Sequence, residues 1–251
     1  MTPDAVEQVA AALDAVSRGG ARLDHLPEGC DPRSPAEALA VQERVVALSR
    51  QAVAGWKVAR MGETVVWGVI YAEDVHETPT HVPASRYPLR GVEAEIAFRF
   101  KTDFRRGSEP ASPKQVAGLL EPVPVLEIVD SRFADYRATP PVHRLCDRMS
   151  NGGLITGSWN PTPPRDFVSM VVRVCCDGSV IFEGAGGHPQ RDPLLPALEF
   201  IAVEHPHRDF RAGQIITTGT LSGLIFGSTG ESYCADFGGR GQAEVTFTQL
   251  D

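Results

Sequence analysis

The sequence predicts an α+β fold in which a helical N-terminal region, residues 1–55, is joined to a β-rich core, residues 56–251. Two observations carry this prediction. Capped segments with helical spacing of apolar residues occur twice before Gly55. Strand-like segments separated by glycine and proline dominate the rest of the chain. With 251 residues and a hydrophobic content of 42%, the chain is long enough and apolar enough for one large packed domain.

Two helices are predicted in the N-terminal region. The first begins after Thr2, a suitable N-cap with Pro3 at the first helical position, and ends at Gly19-Gly20. The second begins after Ser34 in Ser-Pro-Ala-Glu, which has the spacing of a capping box, and extends to about Ser49.

The β-rich core is predicted to contain two further helices. One follows Ser112 in a second capping box, and the other follows Asp192-Pro193 and extends to Val203. The predicted strands include residues 56–59, 65–71, 214–220, 232–237 and 242–247, with a glycine-rich turn at residues 238–241 joining the last two.

Three glutamates occupy strand positions that are unusual for an acidic residue. Glu93 and Glu95 lie two positions apart in Val-Glu-Ala-Glu-Ile, so both point to the same face of a strand. Glu127 interrupts an apolar run, which predicts a buried carboxylate that needs a proton, a hydrogen bond, a cation or a metal. Three clustered carboxylates favour a hard divalent cation with oxygen ligands. The alternative for Glu93 and Glu95 is the solvent-exposed face of an antiparallel strand.

Composition argues against several classes of function. The net charge of −8 and the lack of a basic run disfavour a nucleic-acid partner. Five cysteines without CxxC spacing are typical of reduced thiols and not of a disulfide framework or a zinc site. No apolar run approaches the ~20 residues of a membrane span, and the N-terminus lacks signal-peptide features, so we expect a cytoplasmic protein.

Other polar residues are candidates for catalysis or binding. Lys57 has apolar neighbours in Gly-Trp-Lys-Val, so burial would lower its pKa toward a range useful for proton transfer; the alternative is a lysine that reaches solvent. Asp147 and Ser150 lie in a polar loop that, taken alone, is ordinary turn chemistry. His188, in Gly-Gly-His-Pro, is more simply explained as a loop residue than as a ligand.

A segment rich in glycine and hydroxyl groups follows one of the predicted strands. Its backbone N–H groups and the hydroxyls of Thr218 and Thr220, with Gly219 between them, are suited to holding a carboxylate. It is not a phosphate-binding P-loop, because no lysine follows the glycines in the required order.

The order of these segments resembles the hydratase/decarboxylase branch of the fumarylacetoacetate hydrolase superfamily. The resemblance covers nearly the whole chain, and the two glutamate-bearing segments are its most specific part. The matching segments, in chain order, are Gly-Trp-Lys57-Val, Val-Glu93-Ala-Glu95-Ile-Ala-Phe, Leu-Glu127-Ile-Val-Asp-Ser-Arg, Asp147 with Ser150-Asn151-Gly152-Gly153, Gly-His188-Pro and Ile-Ile-Thr-Thr218-Gly219-Thr220-Leu.

The resemblance implies a mixed β-roll with peripheral helices, and an enzyme that hydrates a 2-hydroxydienoate or 2-oxo-4-enoate. A small 2-oxo acid is the implied ligand, and we also expect a homo-oligomer. The implied roles are Mg²⁺ or Mn²⁺ binding by Glu93, Glu95 and Glu127, proton transfer by Lys57 and Asp147, and substrate binding by Ser150 and Thr218 to Thr220.

Two arginines stand where the family commonly has other residues. Arg60 follows the lysine segment, and Arg148 follows Asp147. An arginine that faces the cavity would bind a second carboxylate on the substrate, so both are candidate substrate-binding residues. The alternative is that both side chains point to solvent or pair with acids such as Asp130 and Asp135.

Three other functions remain open from the sequence. The same site would serve decarboxylation of a 2-oxo-enedioate. An acylpyruvate-type C–C hydrolase would need a water-activating His–Glu pair, for which His25 and Glu28 are candidates. A non-catalytic family member would act as a binding subunit and would bind no metal.

Overall fold

The molecule is an α+β protein built from two β-sheets and peripheral helices. The computed structural model describes residues 1–105, 112–160, 162–163, 166–203, 206 and 209–249. The helices in this part of the chain are α1 Pro3–Ser17, α2 Pro35–Ser49, α3 Pro113–Gly118, α4 Pro141–Cys146 and α5 Leu194–Ala202. The strands are β1 Val53–Met61, β2 Thr64–Tyr71, β3 Val75–Glu77, β4 Thr80–Pro83, β5 Gly91–Phe100, β6 Phe104–Arg105, β7 Leu120–Val129, β8 Asn151–Thr156, β9 Ser158–Trp159, β10 Val171–Cys176, β11 Ser179–Ala185, β12 Asp209–Phe210, β13 Ile215–Thr220, β14 Ile225–Phe226, β15 Ser232–Phe237 and β16 Gly241–Thr248.

The two N-terminal helices form as predicted and pack on the β-rich core. The hydroxyl of Thr2 caps α1, and the hydroxyl of Ser34 caps α2 by accepting the Glu37 N–H at 3.3 Å. The capping box of α2 is not reciprocal, because Glu37 accepts the N–H of Arg33 at 2.6 Å instead of that of Ser34. Gln42, buried in α2, donates to a β2 carbonyl at 2.7 Å and accepts a β2 N–H at 2.8 Å, which ties the helical region to the core.

The larger sheet is mixed and curls on itself. Its strand order is β2-β1-β13-β5-β7-β8-β3, with β14 beside β5. The pairs β1–β13 and β3–β8 are parallel, and the other neighbours are antiparallel. Strand β2 also contacts β8, so the two ends of the sheet approach each other around an inner face. Buried apolar side chains fill part of that face: Ile70, Ala97, Val123, Val125, Leu154 and Ile215.

The smaller sheet covers part of the larger one. Its order is β11-β10-β15-β16-β4, with β9 beside β16, and it packs through β16 against β7 and β8. The predicted turn at Gly238-Gly239 joins β15 to β16, and both glycines have φ near +67°, a backbone conformation that favours glycine. All five cysteines are free thiols.

Helix α4 was missed by the sequence patterns. It has six residues, from Pro141 to Cys146, which is too short for helical periodicity to be visible. A short turn over Arg148–Ser150 follows and leads into β8. Within the described residues no helix has the length and apolarity that crossing a membrane requires.

Candidate metal centre and substrate pocket

Strands β5 and β7 bring the three glutamates together on the inner face of the curled sheet. Glu93 and Glu127 are register partners, and one carboxylate oxygen from each of Glu93, Glu95 and Glu127 lies within 4.8 Å of the others. Glu95 and Glu127 are fully buried, and Glu93 is half-buried. The alternative that Glu93 and Glu95 form a solvent-exposed face is therefore wrong.

Neighbouring residues orient two of these carboxylates. Thr217 Oγ1 donates a hydrogen bond to Glu95 Oε2, and the Gly219 N–H donates to the same oxygen at 3.1 Å. Asn151 Nδ2 donates to Glu127 Oε1 at 2.9 Å. Neither Thr217 nor Asn151 was predicted from the sequence to have this role. Hydrogen bonds of this kind fix the orientation of metal ligands.

The segment from Thr218 to Thr220 was predicted to bind substrate. In this structure Thr218 Oγ1 donates to the Ile96 carbonyl at 3.3 Å, and Thr220 Oγ1 donates to the Gly223 carbonyl at 3.3 Å. Within the segment, Gly219 is the residue that reaches the glutamate cluster.

Lys57 lies inside the cluster and not at the surface. Its Nζ is 3.0 Å from Glu127 Oε2 and 3.7 Å from Glu93 Oε2, and 13% of its side chain is exposed, so the alternative of a solvent-reaching lysine is wrong. Burial alone would lower the pKa of Lys57. The attraction of Glu127, Glu93 and Glu95 outweighs burial and raises this pKa above its ordinary value. The prediction that burial lowers the pKa of Lys57 is therefore wrong when Lys57 and these three glutamates are considered without a bound cation.

The cluster has an excess of negative charge that a divalent cation would balance. Burial raises the pKa of Glu127 to about 7, with Lys57 opposing the effect and Glu95 adding to it. Burial also raises the pKa of Glu93 and of Glu95. Within the described residues, the buried Oε1 of Glu95 has no hydrogen-bond partner. A hard cation fits this donor set, because it would neutralise the carboxylates and bind the unpartnered oxygen.

A cavity of about 270 Å³ lies beside Lys57. Strands β1 and β2, α4, and the turn after α4 supply its walls, and the buried Ser150 Oγ has no hydrogen-bond partner among the described residues. That hydroxyl is available to a bound ligand. The lining residues are Lys57, Ala59, Arg60, Met61, Val66, Tyr136, Pro141, Arg144, Leu145, Met149 and Ser150.

The turn that carries Ser150 has an unusual backbone. Arg148, Met149 and Ser150 have φ values of +50°, +53° and +58°, which L-residues rarely adopt in succession. The turn lies directly on β2 at Gly68, where a Cβ atom would be 2.2 Å from the Arg148 carbonyl oxygen. Gly68 is the cross-strand partner of Lys57, so this contact holds the turn over the lysine.

Asp147 was predicted to transfer protons, but its contacts are structural. It is buried, accepts the Ser131 hydroxyl and the Arg132 N–H at 2.9 Å each, and forms an ion pair with the Arg132 guanidinium. Burial raises the pKa of Asp147, while Arg132 opposes the effect. Arg132 also donates to the Asn151 carbonyl at 3.0 Å. The structure therefore joins Asp147 to the cluster through Arg132 and Asn151, and does not place it against Lys57.

The two arginines predicted to face the substrate are directed elsewhere. Arg60 contributes to the lining of the Lys57 cavity, but strand alternation directs its side chain to the opposite face of β1, where its guanidinium pairs with Glu199 at 2.8 Å. Arg148 lies 3.4 Å from Asp74, with its guanidinium 4.4 Å from the centre of the Tyr71 ring, and lines a different cavity of about 520 Å³. The alternative, that these arginines pair with acids, is the one that the structure supports, with Glu199 and Asp74 as the partners; Asp130 pairs with Arg22 instead.

The three remaining candidates lie apart from this chemistry. His188 is buried and its Nε2 is 2.9 Å from the Thr218 carbonyl, which makes it a loop support, as the simpler hypothesis held. His25 and Glu28 are exposed to solvent, unlike the buried glutamates. Sequence patterns missed Arg144, which lines the cavity, because α4 is too short to show a face, and Tyr136 because it lies in the loop before that helix.

Comparison with known proteins places the whole chain among enzymes. No family model matches the chain. A 2-keto-4-pentenoate hydratase from Paraburkholderia xenovorans is 26% identical over 264 residues, covering 98% of this chain and 96% of that protein. A 4-oxalocrotonate decarboxylase from a Pseudomonas species is 23% identical over 235 residues, covering 88% and 89%.

Solved structures show the same fold. A 4-oxalocrotonate decarboxylase from Pseudomonas putida, complexed with magnesium and adipate, matches with a TM-score of 0.81 at 20% identity over 98% of both chains. A fumarylacetoacetate hydrolase from Exiguobacterium antarcticum matches with a TM-score of 0.57 at 13% identity, over 80% of this chain and 76% of that one. The chain has the fold of the fumarylacetoacetate hydrolase superfamily. The predicted β-roll and the resemblance to the hydratase/decarboxylase branch of this superfamily are confirmed.

Proposed function

We propose that the protein is a divalent-metal-dependent lyase that hydrates a small 2-hydroxydienoate or 2-oxo-4-enoate. The observation that carries this proposal is the closed cluster of Glu93, Glu95 and Glu127 with Lys57, beside a cavity of about 270 Å³. The names of the relatives, which are hydratases and decarboxylases, support the same chemistry.

Glu93, Glu95 and Glu127 would hold Mg²⁺ or Mn²⁺, because both are hard cations that prefer carboxylate oxygens. When bound, the cation supplies Lewis-acid polarisation of a 2-oxo acid and so favours its enolate form. The hydrogen bonds of Gly219 and Asn151 to the carboxylates would keep the ligands in place as substrate enters.

Lys57 is the residue suited to proton transfer. Its Nζ carries a proton beside the cavity, where it would deliver and recover that proton as the dienol becomes a ketone and water adds to the distal double bond. The Ser150 hydroxyl would donate a hydrogen bond to the substrate. We assign Asp147 a positioning role, since it reaches the cluster through Arg132.

Decarboxylation of a 2-oxo-enedioate is the second candidate. It would use the same polarised 2-oxo acid as its electron acceptor. The apolar part of the cavity lining, which includes Met61, Val66 and Leu145, supports this candidate because a carboxylate loses charge as it leaves as CO₂. Acylpyruvate-type hydrolysis lacks such support, since His25 and Glu28 are exposed.

Product analysis by mass spectrometry tests the proposal. Purified protein with Mg²⁺ or Mn²⁺ would be incubated with 2-hydroxypenta-2,4-dienoate and with a 2-oxo-enedioate. A product that has gained one water molecule is expected. Loss of CO₂ would assign the decarboxylase, and no turnover of any 2-oxo acid would indicate a binding subunit.

The same proposal includes a cytoplasmic homo-oligomer. Strand β11 forms one edge of the smaller sheet and exposes Val180 and Ile181, whose relative exposures are 53% and 47%. Exposed apolar side chains on a sheet edge are typical of surfaces that another chain covers. Light scattering of the purified protein would give its oligomeric state, and a monomer would contradict this part of the proposal.

A further inference from the structure

We propose that Arg144 binds a second carboxylate at the far end of the substrate, so that the preferred substrate is a 2-hydroxydienoate with a distal carboxylate that the reaction retains. This inference rests on the proposed function. It assigns the recognition of the second carboxylate to a residue of α4 that the sequence patterns did not single out.

Arg144 has the position that this role requires. It is half-buried in α4 and lines the same cavity as Lys57 and Ser150. Its guanidinium carbon lies 5.0 Å from the centre of the Tyr136 ring, which also lines the cavity. Stacking on an aromatic face holds an arginine in place while leaving its N–H donors at the edge of the group available.

The other cations near the site are already paired. Lys57 contacts Glu127, Arg60 pairs with Glu199, and Arg148 pairs with Asp74. Arg144, by contrast, has the Tyr136 ring as its contact and forms no ion pair with any carboxylate in the described part of the chain. Among the residues that line the cavity, it is therefore the arginine suited to an incoming anion.

The cavity offers different chemistry along its walls. Lys57 belongs to the glutamate cluster, Arg144 carries a guanidinium group, and Leu145 and Met149 are apolar. A ligand with a 2-oxo acid head, a short hydrocarbon chain and a terminal carboxylate matches these three features. A monocarboxylate would leave the guanidinium without an anionic partner, and arginine–carboxylate pairs are among the stronger polar contacts.

The pairing also bears on which reaction follows. An arginine stabilises a carboxylate as the anion, whereas decarboxylation requires that carboxylate to lose its charge as CO₂. Hydration has no such conflict. Water adds its hydroxyl to one alkene carbon and a proton to the next, no carbon–carbon bond breaks, and no oxidant or reductant is needed. Arg144 therefore favours hydration of a dianionic substrate whose second carboxylate stays in place.

A specificity ratio tests the inference. For the Mn²⁺-loaded protein, kcat/KM is measured with 2-hydroxyhexa-2,4-dienedioate and with 2-hydroxypenta-2,4-dienoate. The specificity ratio is kcat/KM for the dicarboxylate divided by kcat/KM for the monocarboxylate. We expect this ratio to exceed one in the parent, and Arg144→Met to reduce it on the order of 10- to 100-fold. Arg137→Met is the matched control, because Arg137 stacks on Phe226 at 4.9 Å, is exposed and does not line the cavity. The hydrated product should retain both carboxylates.

Two results would overturn the inference: a ratio that is the same in all three proteins, or release of CO₂ from the dicarboxylate. Failure of the proposed function is distinguishable, since the parent would then turn over neither substrate. In that case, calorimetric binding of adipate and hexanoate still decides the role of Arg144. A preference for adipate that Arg144→Met removes would support a carboxylate site, and equal affinities in the parent would exclude it.

Discussion

Asn151 donates a hydrogen bond from Nδ2 to Oε1 of Glu127 over 2.9 Å. The carbonyl of the same asparagine accepts a hydrogen bond from Arg132, which is in turn ion-paired with Asp147. Buried polar groups of this kind are stable only when each has a partner. The proposed metal ligand on β7 is thus connected to the loop that carries Asp147, and disturbance of that loop should reach the cluster.

Removing one glutamate should weaken metal binding without unfolding the protein. Glu95→Gln deletes a charge but keeps an oxygen that can accept the hydrogen bonds of Thr217 and Gly219. We expect Mn²⁺ affinity, measured by calorimetry, to fall by at least ~10-fold and Mn²⁺ to raise the melting temperature of the variant less than that of the parent. Glu183→Gln on exposed β11 is the control. Parental Mn²⁺ affinity in Glu95→Gln would refute the ligand set.

Replacing the lysine should separate catalysis from metal binding. Lys57→Met keeps the length of the side chain in its buried position but removes the proton carried by Nζ. We expect kcat to fall by ~10²-fold or more while the protein still binds Mn²⁺. The measurement is steady-state turnover of the hydration substrate together with a Mn²⁺ titration. Turnover close to that of the parent would remove Lys57 from the mechanism.

The buried ion pair of Asp147 should matter for stability as well as for activity. Asp147→Asn leaves the Arg132 guanidinium buried without its anion, and breaking such a pair commonly costs about 3–5 kcal/mol. We expect a lower urea midpoint and weaker Mn²⁺ binding, because Arg132 would no longer hold Asn151. Parental stability with an altered pH–rate profile would show instead that Asp147 transfers protons, as the family resemblance implies.

A single methyl group on β2 should displace the turn that carries Ser150. In Gly68→Ala the new Cβ would meet the Arg148 carbonyl oxygen at 2.2 Å and its carbon at 2.6 Å, so the turn must move. We expect a loss of about 1–3 kcal/mol in the free energy of unfolding and a marked loss of turnover. Gly118→Ala in α3 is the control, since its new methyl group would have no atom of the described chain within 4 Å beyond its own helix backbone and chain neighbours. Equal losses of stability and turnover in Gly68→Ala and Gly118→Ala would argue against the close contact between Gly68 and the Arg148 carbonyl.

Protonation of His188 should destabilise the folded protein. Its Nδ1 accepts the Gln190 N–H at 3.1 Å, so the neutral ring donates from Nε2 to Thr218, and burial lowers the pKa of His188. Because the folded pKa lies below the unfolded value of about 6.5, the unfolded chain binds the proton first. The contribution of His188 to stability should therefore be constant above about pH 6.5 and fall below it.

Urea midpoints measured between about pH 7.5 and pH 5.5 test the direction of this change in stability. Relative to the parent, His188→Gln should lose less stability on acidification; other groups that titrate in this range, including His76 and His143 with lowered pKa values and Glu127 with a pKa raised to about 7, are common to both proteins. An identical decline in parent and variant would show that His188 does not contribute.

Strand periodicity explains why the cluster could be predicted from sequence. Glu93 and Glu95 share a face because they are two residues apart, and Lys57 lies in an apolar strand. The same periodicity predicts that Arg60, three residues after Lys57, points to the opposite face of the strand. Partners that are distant in sequence, such as Asp74 for Arg148, leave no local signal, and their pairing depends on how the sheet curls.

The three left-handed residues from Arg148 to Ser150 have a consequence for how the pocket forms. Each such residue costs roughly 1–2 kcal/mol, so the turn would not keep this shape in an isolated segment. It is held by contact with β2 and by the packing of α4 on the same strand. A chain with formed sheets but an undocked α4 would lack both Ser150 and Arg144 in the pocket. Substrate binding therefore reports only the completely assembled molecule, which makes a substrate analogue a selective stabiliser of the native state over partly folded forms.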